Sequence, residues 1–360
     1  MEKKIALLPG GGIGPEVLAQ AEKALRAVGG RFGHKFTFDR VAVGLSGPLD
    51  EAALARCLAA DSVLAGVGTG RAIGQLGREM ALKARMRPAL LYPQLAGASP
   101  LAPALVKQDI DLMLVQTLGA FLSGEEEDAP VVRGEEDAVR VARIAFRTAE
   151  MRRCGLVFVE QPGQEERARR SWRALLGRLS EQFPRVKLEL LGASEVAARL
   201  LQDPARFDVI LADGVCGAVL AGEAAGLTGS AGMMSCAVLG AGRQGLYHPV
   251  LGPSPDMAGQ NLANPVGAVY AGALLLKYAF GMAEECAAIE AAVQRVLDDG
   301  YRTADILSPR CRLVSCERMG ELIAAALTSP ALYRRVVRGT KDAGDGFGTL
   351  QRKVSGAARM

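Results

Sequence analysis

The stretch Gly252-Pro253-Ser254-Pro255-Asp256-Met257-Ala258-Gly259-Gln260-Asn261-Leu262-Ala263-Asn264-Pro265 decides how this chain is read. Two glycines and three prolines so close together specify a backbone path rather than a packed face. Such a loop can bring main-chain N–H groups against a flat, polar ligand. A second string, Leu8-Pro9-Gly10-Gly11-Gly12-Ile13-Gly14-Pro15-Glu16, joins a short apolar run to a helical pattern. Pro15 falls near the helix start, where its missing N–H costs nothing. Alone, this turn is weak evidence, because many α/β proteins have one.

Outward from these strings, short apolar runs alternate with helical patterns, which predicts an α/β architecture. The expected strands are 4–8, 36–43, 62–67, 89–92, 111–116, 155–160, 187–191 and 207–212. The expected helices include 14–28, 135–153, 164–179, 194–201 and 265–280. Val17, Leu18, Ala21, Leu25 and Val28 recur at helical spacing in the first of them.

A chain of 360 residues suits two domains. With 43 basic and 39 acidic side chains the charge is too balanced to imply a nucleic-acid partner. The longest apolar stretch, 266–283, is broken by Lys277 and three glycines and reads as a buried helix, not a membrane span. Seven scattered cysteines without a paired spacing, and only His34 and His248 beside them, exclude a structural zinc motif. They predict free thiols in the reducing cytoplasm. Residues 329–360 carry seven Lys/Arg against two Asp. They read either as a mobile tail or as a basic arm for an anionic partner.

The two glycine-bearing strings resemble those of the isopropylmalate/isocitrate dehydrogenase family, the β-decarboxylating dehydrogenases. The resemblance covers most of residues 1–328. It implies a two-domain α/β fold with a mixed sheet flanked by helices and a ligand cleft between the domains. By analogy the first domain is 1–83 plus 229–360, with 329–360 as an extension, and the second is 84–228. It implies oxidation of a 2-hydroxy acid by NAD(P) with a divalent metal, followed by decarboxylation. Gly252, Pro255, Asp256, Gly259 and Asn264 fall at the family's cofactor-binding spacings, with Asn264 at the adenine. An acid at Asp256 accepts from ribose hydroxyls and repels a 2′-phosphate, so NAD fits better than NADP. The other reading of this loop is a turn kept only for the fold.

The family's chemistry needs a metal, a base, an acid and arginines that hold carboxylates. The metal aspartates fall on Ala218 and Gly222, and Glu223 is the only acid between Asp213 and Asp256. The lysine base falls on Gln161 and the tyrosine acid on Leu122. No Lys or Tyr occurs anywhere in 108–186. Of the arginines, Arg87 matches, Arg78 stands beside a second position and Gln116 occupies the third. Arg87 is either a carboxylate clamp or an ordinary inter-domain residue. The expectation is therefore a non-catalytic, ligand-binding or regulatory member, a pseudoenzyme that neither holds Mg²⁺ or Mn²⁺ nor reduces NAD with isopropylmalate, isocitrate or malate. The alternative is a NAD-dependent 3-isopropylmalate dehydrogenase-like oxidoreductase, or an enzyme with altered chemistry in the same cleft. The expected partner is a second copy or an active paralogue, packed through Val139, Val141, Ala142, Ile144, Ala145 and Ala149.

Overall fold

The computed structural model describes residues 1–43, 47–118, 135–161 and 166–342. The chain divides into two compact units, one of residues 1–76, 229–237 and 243–360, the other of 77–228 and 238–242.

The first unit begins with β1 (Glu2–Gly10), α1 (Gly14–Phe32), β2 (Lys35–Arg40), α2 (Glu51–Leu58) and β3 (Ser62–Val67). Helix α1 ends at Gly33, and α2 is capped by Asp50, whose carboxylate accepts from Ala53 N at 2.7 Å. Helix α3 (Gly70–Glu79) carries the chain out of this unit. Strands β1, β2 and β3 are parallel, with Ile5 opposite both Phe38 and Ser62.

The second unit holds β4 (Leu82–Leu90), β5 (Asp111–Thr117), α4 (Glu135–Glu150), β6 (Gly155–Glu160), α5 (Glu166–Gln182), β7 (Lys187–Gly192), α6 (Ala193–Gln202), β8 (Val209–Ala212) and α7 (Gly214–Leu227). Its strand order is β4-β5-β8-β6-β7, antiparallel only between β4 and β5. Buried Asp208 pins the start of β6 by accepting from Arg152 Nε at 2.8 Å, Arg153 N at 2.9 Å and Gly155 N at 3.1 Å. The apolar face of α4, with Val141, Ala142, Ala145 and Ala149, is buried within the chain. Val139 and Ile144, the other two residues expected to meet a partner, are half-buried. The apolar residues left exposed in this unit include Val215 and Val219 of α7.

Strand β9 (Ser235–Gly240) starts in the first unit and ends in the second. The chain then adds β10 (Leu246–Pro249), parallel to β3, and α8 (Val266–Phe280), which packs on α1, α9 (Ala283–Asp298) and β10. Twelve of the residues of α8 are buried, as an apolar helix without a polar face requires. No helix among the described residues is long and apolar enough to cross a membrane. The short pair β11 (Tyr301–Arg302) and β12 (Arg312–Leu313) leads to α10 (Cys316–Thr328) and α11 (Pro330–Asp342). The first part of the expected mobile tail is thus helical. Tyr333 is buried and donates to Asp299 Oδ2 at 2.7 Å. Residues 343–360 lie outside the described residues.

Candidate active site

Strands β5, β6 and β8 are mutually parallel, so their carboxyl ends bring Thr117, Gln161 and Asp213 to one edge of the sheet. In open α/β sheets ligands bind at these ends. One hydrogen-bonded string runs through the edge. Arg87 Nη1 on β4 donates to Gln116 Oε1 at 2.5 Å. Gln116 Nε2 donates to the Gly214 carbonyl at 2.6 Å, and Gln161 Nε2 to the Asp213 carbonyl at 2.9 Å. The Thr117 hydroxyl donates to Asp213 Oδ1 and accepts from Gly214 N at 3.3 Å. Gly217 leaves room for Gln116, since a Cβ there would lie 2.7 Å from the glutamine Cγ.

Asp213 is 1% exposed, and its Oδ2 is buried without a hydrogen-bond partner. Burial pushes its carboxyl up to about 6, against the opposing pull of the Thr117 hydroxyl and the Gly214 N–H. It therefore changes charge near neutral pH. The Cys216 thiol is pushed up by burial and by Asp213, the reverse of what an activated thiolate needs. Arg87 is 7% exposed, and its Nε has no hydrogen-bond partner. Among the described residues no carboxylate pairs with it.

Other expected positions lie apart from this string. Arg78 is exposed on α3. Leu122 lies outside the described residues. Ala218 is half-buried and Gly222 exposed on α7, and neither offers a side-chain oxygen. Glu223 is half-buried, its carboxyl raised by burial. Among the described residues no three His, Cys, Asp or Glu side chains gather as a metal site. A hard divalent cation needs several oxygen ligands. The described residues do not gather such a set.

In the first unit the two glycine-bearing strings pack on each other. Ile13 N donates to the Pro253 carbonyl at 2.9 Å, and Gly259 N donates to Glu16 Oε1. Gly12 has φ +58°, and a Cβ there would sit far inside contact distance of the Pro253 oxygen. Gly252, Pro255, Asp256 and Gly259 are exposed along the loop. Gly259 has φ +72° and open space where a Cβ would point. Asn264 differs, being 4% exposed. Its Nδ2 donates to Asp305 Oδ2 at 2.9 Å and its Oδ1 accepts from Val266 N at 3.0 Å, so its side chain serves the start of α8.

The family model for isocitrate/isopropylmalate dehydrogenases matches residues 4–323. The chain belongs to this family. It is 38% identical to the 3-isopropylmalate dehydrogenase of Oleidesulfovibrio alaskensis over 90% of this chain and 99% of that one. It is 37% identical to the 3-isopropylmalate dehydrogenase of Geobacillus kaustophilus over 90% of this chain and 95% of that one. The isocitrate dehydrogenase structure from Methylococcus capsulatus shares the fold, with a TM-score of 0.76 at 24% identity, covering 91% of this chain and 100% of the other.

These relatives overturn the expectation of a non-catalytic, regulatory member. Proteins 34–38% identical along about nine-tenths of the chain are named as dehydrogenases. Sequence reasoning missed Thr117, which meets Asp213 only across the assembled sheet.

Proposed function

We propose that this protein is a NAD-linked oxidoreductase of a small 2-hydroxy acid, with a proton-transfer set different from the family's lysine and tyrosine. The observation that carries the reading is Arg87, a buried guanidinium whose hydrogen bond goes to a neutral amide. A buried cation without an anion is unfavourable, and a substrate carboxylate supplies the anion in the fork geometry that arginine prefers. Gly252, Asp256 and Gly259 would hold the nucleotide, which when bound supplies the hydride acceptor. All seven cysteines are free thiols, which fits a reducing cytoplasm. The exposed Val215 and Val219 on α7, at 60% and 63% exposure, are the surface through which we infer pairing with a second copy or a paralogue.

The test is NADH formation from NAD⁺ with 3-isopropylmalate, isocitrate, malate and lactate, with and without Mg²⁺. Turnover of at least one acid, abolished by Arg87→Ala, is expected. A folded wild-type protein that forms no NADH with any of them would refute the reading.

A further inference from the structure

We infer that Glu16 is a positioning residue for nucleotide binding, which fixes the loop at 252–265 through the Gly259 N–H; the assignment rests on the oxidoreductase reading. Every group concerned belongs to the first unit. Glu16 stands in the first turn of α1, two positions after Gly14. Its Oε1 accepts from Gly259 N, 243 residues further along the chain.

Other hydrogen bonds around Gly259 are local. Met257 N donates to the Ser254 carbonyl at 3.0 Å and Gln260 N to the Met257 carbonyl at 3.1 Å. Gln260 Nε2 donates to the Asp256 carbonyl at 2.5 Å. These bonds keep the shape of the segment but move with it. The bond to Glu16 ties it to a helix. On the far side Asn261, with φ +60°, makes a second tie. Its carbonyl accepts from Cys316 N at 3.0 Å and its Oδ1 from Glu317 N at 2.8 Å, both in the first turn of α10. Helices α1 and α10 pack on each other, so Glu16 and Asn261 mount the segment on one frame.

An exposed loop loses conformational freedom when it closes on a ligand, and a loop already fixed avoids that cost. A carboxylate makes the tie a charge-assisted hydrogen bond, stronger than a neutral one. The same carboxylate contributes little else to the fold, because its Oε2 is buried without a hydrogen-bond partner. Removing the side chain takes away that orphaned oxygen together with the tie. The Ile13–Pro253 and Asn261–α10 bonds remain to hold the chain path. The loss therefore falls on nucleotide binding rather than on folding.

Calorimetric titration of the full-length protein with NAD⁺ tests the assignment. Glu16→Gln keeps an oxygen for Gly259 N and removes the charge, whereas Glu16→Ala removes both. Glu16→Ala is expected to raise the Kd for NAD⁺ about tenfold, and Glu16→Gln to stay within about threefold of wild type. Amide exchange in a peptide spanning 255–261, without nucleotide, is expected to quicken in Glu16→Ala and not in Glu16→Gln. With the acid that is oxidised best, KM for NAD⁺ is expected to rise in Glu16→Ala while kcat stays within about twofold, a split that partial unfolding does not give. Should Glu16→Ala not fold, Glu16→Met keeps the stem without the acceptor and is held to the same limits. A Kd within about threefold of wild type in the variant without an acceptor would overturn the assignment and leave the oxidoreductase reading intact. So would equal weakening in Glu16→Gln, which would assign the effect to charge. A wild type that gives a flat titration with NAD⁺ would end both.

Discussion

Replacing Asp213 with asparagine is expected to stabilise the protein increasingly as pH rises. The carboxyl is 1% exposed and titrates at about 6 in the folded chain, against an ordinary value of 3.8. Between those two values the folded state holds a proton that the unfolded state has released. Wild-type stability therefore falls as pH rises through that window and stays low above it. The full cost of the ionised group is about 3 kcal/mol, a sizeable part of a typical folding free energy. In Asp213→Asn the Thr117 hydroxyl still has an oxygen to donate to, and the new NH₂ takes the place of the unpartnered Oδ2. Any cost of that amide is the same at every pH and cancels in a comparison. Urea unfolding of both proteins from about pH 4 to about pH 8 reads the effect. The stability difference is expected to move toward the variant by about 2.5 kcal/mol across that range, the rest of the full cost falling below about pH 4. Curves that remain parallel within about 0.5 kcal/mol would refute the buried, titrating carboxylate.

Two further outcomes concern the glycine-bearing strings. Gly12→Ala places a methyl group against the Pro253 carbonyl at a positive φ, and is expected to lower stability by more than about 1 kcal/mol and to weaken NAD⁺ binding. Wild-type melting and binding in this variant would show that the strings do not need their close approach. Asp256→Ala removes an exposed acid from the loop and is expected to narrow the preference for NAD⁺ over NADP⁺ in paired calorimetric titrations. An unchanged ratio would remove Asp256 from cofactor selection.

The glycine strings were legible because they constrain backbone geometry locally. Gly10-Gly11-Gly12-Ile13-Gly14 announces a turn whatever surrounds it, and the strands at 62–67 and 155–160 fall where their apolar runs stand. β9 and β10 were missed because both are short and lie between glycine-rich segments that read as loop. The start of α11 was missed because its charge suggested a solvated tail, while Tyr333 is buried and the Val336 carbonyl accepts from Arg318. Asn264 was read from its loop position, yet its contacts come from Asp305, 41 residues away. The Asp213 site was least legible. Thr117 and Asp213 are separated by 96 residues, and the raised carboxyl comes from burial that only the assembled sheet supplies.

By the family resemblance, Gln116 and Gln161 at the sheet edge stand where an arginine and a lysine are expected. The two glutamines turn the vacated places into neutral hydrogen bonds, to the Gly214 and Asp213 carbonyls at the start of α7. In the Arg87–Gln116–Asp213 string this leaves Arg87 as the cation for a ligand, beside an acid that is part-protonated near neutral pH. Within this string Arg87 is the one cation, and its guanidinium suits one carboxylate. Calorimetry is therefore expected to rank lactate above malate and isocitrate in the presence of NAD⁺, with the order lost in Arg87→Ala. Tighter binding of the di- and tricarboxylates would show that charge balance at this edge does not set substrate choice.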